Sequence, residues 1–442
     1  MNWIKKILSL GLMWGIAFPC YGEINDSFSE EDEDFKKGIS CIKADPPQYE
    51  EAVPFLTQAA EKGHGEAAYK LAKLYLKRNS FPPQLSPAEK KTKIHEWLRL
   101  ASDKGHIKAP FILGFMYSFG DGVLQNMEKA LEFLTLALER GSAHAPLLLG
   151  TIYLTGRGGI LQDKEKALKL LTLASERGCA HASLSLGEIY LEGRNGILQN
   201  EKKALEFLTL ASERGSAHAS LFLGKIYLAG RGGILQDKEK ALKLLTLASE
   251  RGCAHASLFL GEIYLEGRDG ILQNGEKALE FLTLAMERGA APASFLLGEI
   301  YLEGREGVPQ DKERGLSLLL HACDQGSQKA ALLLGKLYCE GKKVLQDNEK
   351  AVRFLTMAVE RESRVAPSEL GGLAASLLGV IYEEGVGGSP PNKSEALAWY
   401  ERAEKMGYHQ ISTRIKFLKE EIEKEHRERR RKLTWWQWIT GS

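Results

Sequence analysis

The sequence predicts an all-α solenoid of stacked helix–turn–helix units, and three observations predict it. Glycines preceded by leucine fall at Gly150, Gly187, Gly224, Gly261, Gly298 and Gly335 in steps of 37 residues, with Gly114 36 residues before and Gly379 44 after. Residues 157–184 and 231–258 are identical and lie 74 residues apart, which marks the duplication of a two-repeat unit. Each unit holds two apolar patterns of helical spacing separated by a glycine-rich turn. A lone pair of short helices cannot bury its apolar faces, whereas stacked neighbours share a continuous core. Residues 35–408 are therefore expected to form one domain of about ten helical pairs.

Ahead of the repeats, Lys5 and Lys6 form a basic start and Ile7–Phe18 an apolar run that Pro19 stops. That run is too short to span a bilayer. Cys20 and Gly22 occupy the small-residue positions for cleavage before Glu23, so residues 1–22 are expected to be a signal peptide of exported bacterial type, giving a periplasmic or secreted protein. Lipidation at Cys20 is the alternative, disfavoured by Ala17, Phe18 and Pro19, which are not the small residues such a site wants. Residues 23–34 carry Glu30, Glu31, Asp32, Glu33 and Asp34 and are expected to be a flexible acidic linker.

Within a repeat, Ala182, Leu186 and Tyr190 recur every four residues and make one apolar stripe, while Glu188 and Glu192 fall elsewhere, and Gly193 ends the helix. The second helix opens at a residue able to cap free N–H groups, namely Asn126, Asp163, Asn200, Asp237, Asn274, Asp311 or Asp347. It closes at Gly141, Gly178, Gly215, Gly252, Gly289 or Gly326, where a left-handed cap is needed. Two insertions interrupt the register, at Asn79–Pro87 and Glu362–Ala374, and are candidate hinges.

The pattern A-x-x-x-L-G-x-x-Y-x-x-G, then D-x-x-K-A and a terminal A-x-x-x-G, resembles the Sel-1-like repeat family, a relative of the tetratricopeptide arrays, over roughly residues 45 to 408. Trp97 and Trp399 stand at the family's aromatic position in the second helix, which Leu170, Phe207, Leu244 and Phe281 fill in the middle repeats; core packing accounts for all of them. The resemblance implies a right-handed superhelix whose first helices line a concave face. It also implies a binding role, since relatives include bacterial envelope and host-interaction proteins and an endoplasmic-reticulum degradation adaptor.

Composition excludes some function classes. The chain has 59 Lys plus Arg against 58 Asp plus Glu, a net charge of +1, so no polyelectrolyte character points to nucleic acid. At 44% hydrophobic and 26% charged it is an ordinary folded composition. Ser40-Cys41-Ile42-Lys43 matches the S-x-x-K of penicillin-recognising enzymes, but neither S-D-N nor K-T-G accompanies it, and chance explains so short a pattern. Some cysteine-rich members of the resembled family carry a β-lactamase label, yet the resemblance transfers no catalytic residue. The GRGG turns follow helices and lack the Lys-Ser/Thr of a phosphate loop. No enzyme activity and no cofactor are expected.

His144, His181, His218 and His255 recur before the first helix. Equivalent atoms two packed helices apart should be roughly 18 Å distant, too far for one zinc ion to join them. They are expected to be duplicated surface residues, with pH sensing as the alternative. Past the leader the cysteines are Cys41, Cys179, Cys253, Cys323 and Cys339, odd in number, and Cys179 and Cys253 lie two repeats apart, so packing rather than a disulfide framework is their expected role.

The partner-binding surface is expected at positions −3, +1 and +5 from each repeat glycine. It runs through Phe111, Phe115 and Phe119; Leu147, Thr151 and Thr155; Leu184, Glu188 and Glu192; Leu221, Lys225 and Ala229; Leu258, Glu262 and Glu266; and Phe295, Glu299 and Glu303. Its early end is aromatic and its later part mostly acidic, which suits a basic partner. For the phenylalanines the alternative is packing under the Asn79–Pro87 insertion. The expected function is a non-catalytic scaffold that captures a protein or peptide; the alternative is an envelope or host-interaction factor contacting a membrane surface or glycan.

The end of the chain offers a charged helix, residues 409–432, and a Trp-rich tail, residues 433–442. Arg430, Arg431 and Lys432 adjoin Trp435, Trp436 and Trp438, a pairing suited to weak membrane docking. The alternative is that this segment caps the open end of the repeats.

Overall fold

The computed structural model describes residues 32–77, 85–230, 234–305, 307–361, 369–385 and 390–440, with side chains only as far as Lys432 at the C-terminal end. The expected signal peptide and the Asn79–Pro87 and Glu362–Ala374 insertions lie wholly or mostly outside them. Among the described residues every regular element is helical. The order is α1 (Glu33–Lys43), α2 (Tyr49–Glu61), α3 (Gly65–Lys77), α4 (Pro87–Asp103), α5 (Ala109–Phe119), α6 (Met127–Glu139), α7 (Ala145–Thr155), α8 (Lys164–Glu176), α9 (Ala180–Glu192), α10 (Glu201–Glu213) and α11 (Ala217–Ala229). It continues with α12 (Lys238–Glu250), α13 (Ala254–Glu266), α14 (Gly275–Glu287), α15 (Ala291–Glu303), α16 (Lys312–Asp324), α17 (Gln328–Glu340), α18 (Asn348–Glu360), α19 (Glu369–Glu384), α20 (Lys393–Lys405) and α21 (Ser412–Thr440).

Within each of two units, consecutive helices pack as pairs and pairs pack against their neighbours in sequence. The chain divides into two compact units whose boundary falls inside α11, between Leu223 and Gly224.

Local rules set the elements. Asn126, Asp163, Asn200, Asp237, Asn274, Asp311 and Asp347 all accept from the backbone N–H three residues on, at 2.9 to 3.0 Å, as their spacing predicts. Each such cap stabilises its helix by about 1 kcal/mol. The closing glycines turn left-handed, as at Gly178 with φ 88° and Gly252 with φ 87°. The repeat glycine has a different purpose: a Cβ at Gly261 would stand 2.6 Å from Leu282 Cγ, so its absence lets the two helices of the pair approach closely.

The acidic linker ends earlier than expected. Asp32 caps α1 by accepting from the N–H groups of Asp34 and Phe35, Glu33 and Asp34 lie in that helix, and Asp34 takes the ammonium of Lys62. At the other end, α21 runs on through the backbone of the expected tail to Thr440. Its first half packs on α20: Leu418 and Ile415 are buried with Ala396 and Tyr400. Lys393 bridges to Glu421 at 3.4 Å and Glu425 at 2.6 Å.

Candidate binding face of the first helices

The three predicted columns divide by burial. Position −3 packs against the core, contrary to the expected exposure: Leu184 is 7% exposed and Leu221 6%, and at position +1 of the first of these repeats Phe115 is likewise only 7% exposed. These three are corrected from partner contacts to packing residues. Leu147, Leu258 and Phe295 are half-buried against core clusters.

The aromatic end is likewise covered by the following repeat. Phe115 and Phe119 lie 4.5 Å apart by ring centroid, the guanidinium of Arg157 sits 4.2 Å over Phe119, and the ring of Phe111 is 5.9 Å from that of His144. The first helices of successive pairs in this unit are thus direct neighbours. Burial, together with the charge of His181, holds His144 below the ordinary imidazole range, and burial with His218 does the same to His181. Successive histidines of this unit thus feel one another's charge. Among the described residues no group of three or more His, Cys, Asp or Glu is arranged to hold a metal ion.

Position +5 is exposed but, where acidic, neutralised. Glu192 pairs with Arg194, Glu266 with Arg268 and Glu303 with Arg305, in each case across the left-handed glycine that ends the first helix. Glu303 also has Lys343 at 3.6 Å. Thr155 and Ala229 hold this position elsewhere.

Position +1 is what remains as unsatisfied charge. Thr151 turns its hydroxyl back to the carbonyl of Leu147 at 2.9 Å, and exposed Lys225 lies 4.8 Å over the ring of Phe259. Glu188, Glu262 and Glu299 are half-buried, and among the described residues none forms a salt bridge within 4 Å. Burial raises all three carboxyls above the ordinary range, against the opposing charges of Arg194, Arg268 and Arg305 respectively. Glu262 and Glu299 stand one repeat apart in the same unit, with Lys329 as a shared, more distant countercharge. This face can receive cationic groups; it holds no nucleophile–base pair.

Two features escaped the sequence reading. An arginine ends most second helices and donates backward: Arg214 to the carbonyl of Ser175 at 2.6 Å and the hydroxyl of Ser183 at 3.0 Å, Arg177 to the carbonyl of Ser142 at 3.0 Å. The recurrent R-G at these helix ends was its signal. The turns between paired helices also project leucines, with Leu124 and Leu345 92% exposed and Leu161, Leu198 and Leu235 88%. Their signal was a leucine fixed in [GK]-[IV]-L-Q-[DN], inside a turn where no apolar stripe requires one.

Stacked helical pairs closed by glycine caps, presenting one face of each first helix, define a helical-repeat binding protein. The Sel1 repeat pattern matches residues 37–64, 95–106, 108–142, 143–179, 180–216, 217–253, 254–289, 291–327, 328–363 and 372–408, and the chain belongs to the Sel1 repeat family. Sel1 repeat proteins generally mediate protein–protein interaction and are generally non-catalytic. The fold is similar to that of c5321, a protective antigen of uropathogenic Escherichia coli with an SLR fold, at 24% identity and a TM-score of 0.56 over 88% of this chain and 79% of that one. A Sel1 repeat protein from Oxalobacter formigenes is 28% identical with a TM-score of 0.52 over 70% of this chain and 86% of its own. None of the curated proteins matches the sequence.

Proposed function

We propose that this chain is an exported, non-catalytic scaffold that captures a protein or peptide of basic character along its first helices, where Glu262 and Glu299 are the anchoring groups. One observation carries the reading: both carboxyls are half-buried on one face and lack a salt bridge among the described residues, whereas the neighbouring Glu266 and Glu303 hold arginines. A half-buried carboxylate without a close cation is held at a disadvantage. A Lys or Arg brought by a partner would remove it, and specificity would follow from the one-repeat spacing. Glu188 offers the same group in the other unit. Export rests on the basic start, apolar run and small residues of 1–22, with the processed chain beginning near Glu23.

The test is capture of partners by the processed protein in parallel with the E262Q/E299Q variant, followed by titration of each captured protein. A genuine partner loses affinity by about tenfold or more in the variant and weakens in salt. Unchanged affinity for every partner, with the fold intact, would make this face a solvated one. An intact Met1 on the protein recovered from cells would refute export.

A further inference from the structure

We infer that the turn leucines form a docking edge for an anionic lipid surface. In the first unit Leu124, Leu161 and Leu198 occupy the same place in successive turns and are 92%, 88% and 88% exposed. The second unit carries its own set, Leu235, Leu272 and Leu345, at 88%, 87% and 92%. Single exposed leucines are ordinary on protein surfaces, but three in each unit, at the same turn position and at almost full exposure, are not.

The turns hold these side chains outward. Residues on both sides of each leucine are tied down: Ile160 is half-buried, Gln162 donates from Nε2 to the carbonyl of Leu154 at 2.7 Å, and the N–H of Asp163 reaches the carbonyl of Tyr153 at 3.0 Å. The same brace recurs around Leu124 and Leu235, where Gln125 and Gln236 donate to the carbonyls of Ser118 and Leu228 at 3.0 and 2.8 Å. A braced turn loses little backbone freedom when its tip is buried, so most of the gain from taking the leucine out of water survives as binding.

The form of the row selects the partner class. Each leucine is exposed at its own turn, one repeat or more from the next, so a protein would have to offer separate pockets repeating at the spacing of the repeats. A second copy of this chain would meet the tips with equivalent tips. A membrane interface presents the same apolar layer at every point along a row, whatever its spacing.

Charge completes the match. The ammonium of Lys164, three residues after Leu161, lies against the next turn at Gly196, two residues before Leu198, and Lys238, three residues after Leu235, lies against the turn at Gly270, two residues before Leu272. Residues 157–166 and 194–203 together carry six basic and three acidic side chains; of these Asp163 is turned to the backbone N–H of Lys166 at 2.9 Å and Arg194 is held by Glu192. Leucine tips interleaved with ammonium groups suit a surface that is apolar within and anionic at its face.

The decisive measurement is co-sedimentation of the protein freed of residues 1–22 with vesicles of phosphatidylcholine alone or mixed with phosphatidylglycerol, beside a variant in which all six leucines are serine. Binding to the anionic vesicles is expected, weaker in salt, and reduced at least about tenfold in the variant. Helix content and melting temperature should be unchanged, because the replaced side chains contact solvent. A chain lacking residues 433–442 should keep its leucine-dependent binding. The proposal falls if the unaltered protein ignores anionic vesicles, if the serine variant binds as well, or if the leucines prove necessary only for a protein ligand.

Discussion

Arg288 donates to the hydroxyl of Ser257 at 3.0 Å and also reaches the carbonyl of Ser249, 39 residues earlier at the end of the preceding second helix. Arg214 does the same to Ser183 and Ser175 in the other unit. Each guanidinium adds a charged donor to a helix-end carbonyl that otherwise accepts only from the closing turn, Gly252 N–H at Ser249 and Gly178 N–H at Ser175, so successive pairs are joined by polar stitches as well as apolar contact.

Removing one stitch should therefore cost more than a surface arginine usually does. Arg288→Ala is expected to lower stability by about 1.5–3 kcal/mol, because a buried carbonyl loses a charged donor. Urea denaturation followed by circular dichroism checks it. Arg305→Ala removes a guanidinium that pairs with an exposed carboxylate, and should cost less than about 1 kcal/mol. Equal effects at the two positions would show that the backward hydrogen bonds contribute nothing special.

The glycines separate two kinds of need. At Gly261 an added Cβ would meet Leu282 Cγ at 2.6 Å, so Gly261→Ala should destabilise by about 1–3 kcal/mol through overpacking, and part of that loss should return with Leu282→Ala in the double variant. At Gly252 nothing lies within 4 Å, but φ is 87°. Gly252→Ala should cost about 1–2 kcal/mol through backbone strain that no second substitution relieves. A thermal-unfolding double-mutant cycle tells crowding from strain.

Left-handed backbone also occurs where no glycine stands. Asn195 and Asp269 have φ of 56° and 55°, in the turn position that Gly158 fills with φ 67° in a sister repeat. Asp269→Gly is expected to raise stability by about 0.5–1 kcal/mol, since Asp bears a Cβ penalty there that glycine lacks. A fall in the urea midpoint would instead show that the side chain of Asp269 contributes more than its backbone conformation costs.

What was legible in the sequence was what local chemistry decides. Asp163 and its counterparts had to cap, Gly178 and its counterparts had to turn left-handed, and the 37-residue recurrence had to be a stack. What was not legible depends on how one pair sits on the next. Leu184 and Phe115 occupy the face that periodicity marks as outward, yet they are buried because first helices of successive pairs are neighbours. The reading of an acidic groove from Glu192, Glu266 and Glu303 omitted the arginines two residues on, which a sharp turn brings back to each carboxylate. Leu161 and Leu198 are marked in sequence only by recurring inside a turn, and their outward direction follows from the bonds that hold the chain beside them, Asp163 N–H to the carbonyl of Tyr153 and Asn200 N–H to that of Tyr190.

The carboxyls of Glu262 and Glu299 give the binding face a pH signature. Burial raises both above the ordinary range, so the folded chain holds their protons more tightly than the unfolded chain does. The stability that comes from this is fully present below the unfolded pKa of about 4.3 and is lost as pH rises through the raised folded values. At neutral pH each side chain is therefore a charge that the free protein would be more stable without. E262Q/E299Q should melt higher than the unaltered protein near neutrality, and the difference should vanish as the solution is acidified to the ordinary carboxylate range. A bound cationic partner should reverse the order at neutral pH, because it stabilises only the carboxylate form. Melting curves across this pH range, with and without partner, read both effects. A variant that melts lower than the unaltered free protein at neutral pH would mean that these carboxylates already have their countercharge within the chain.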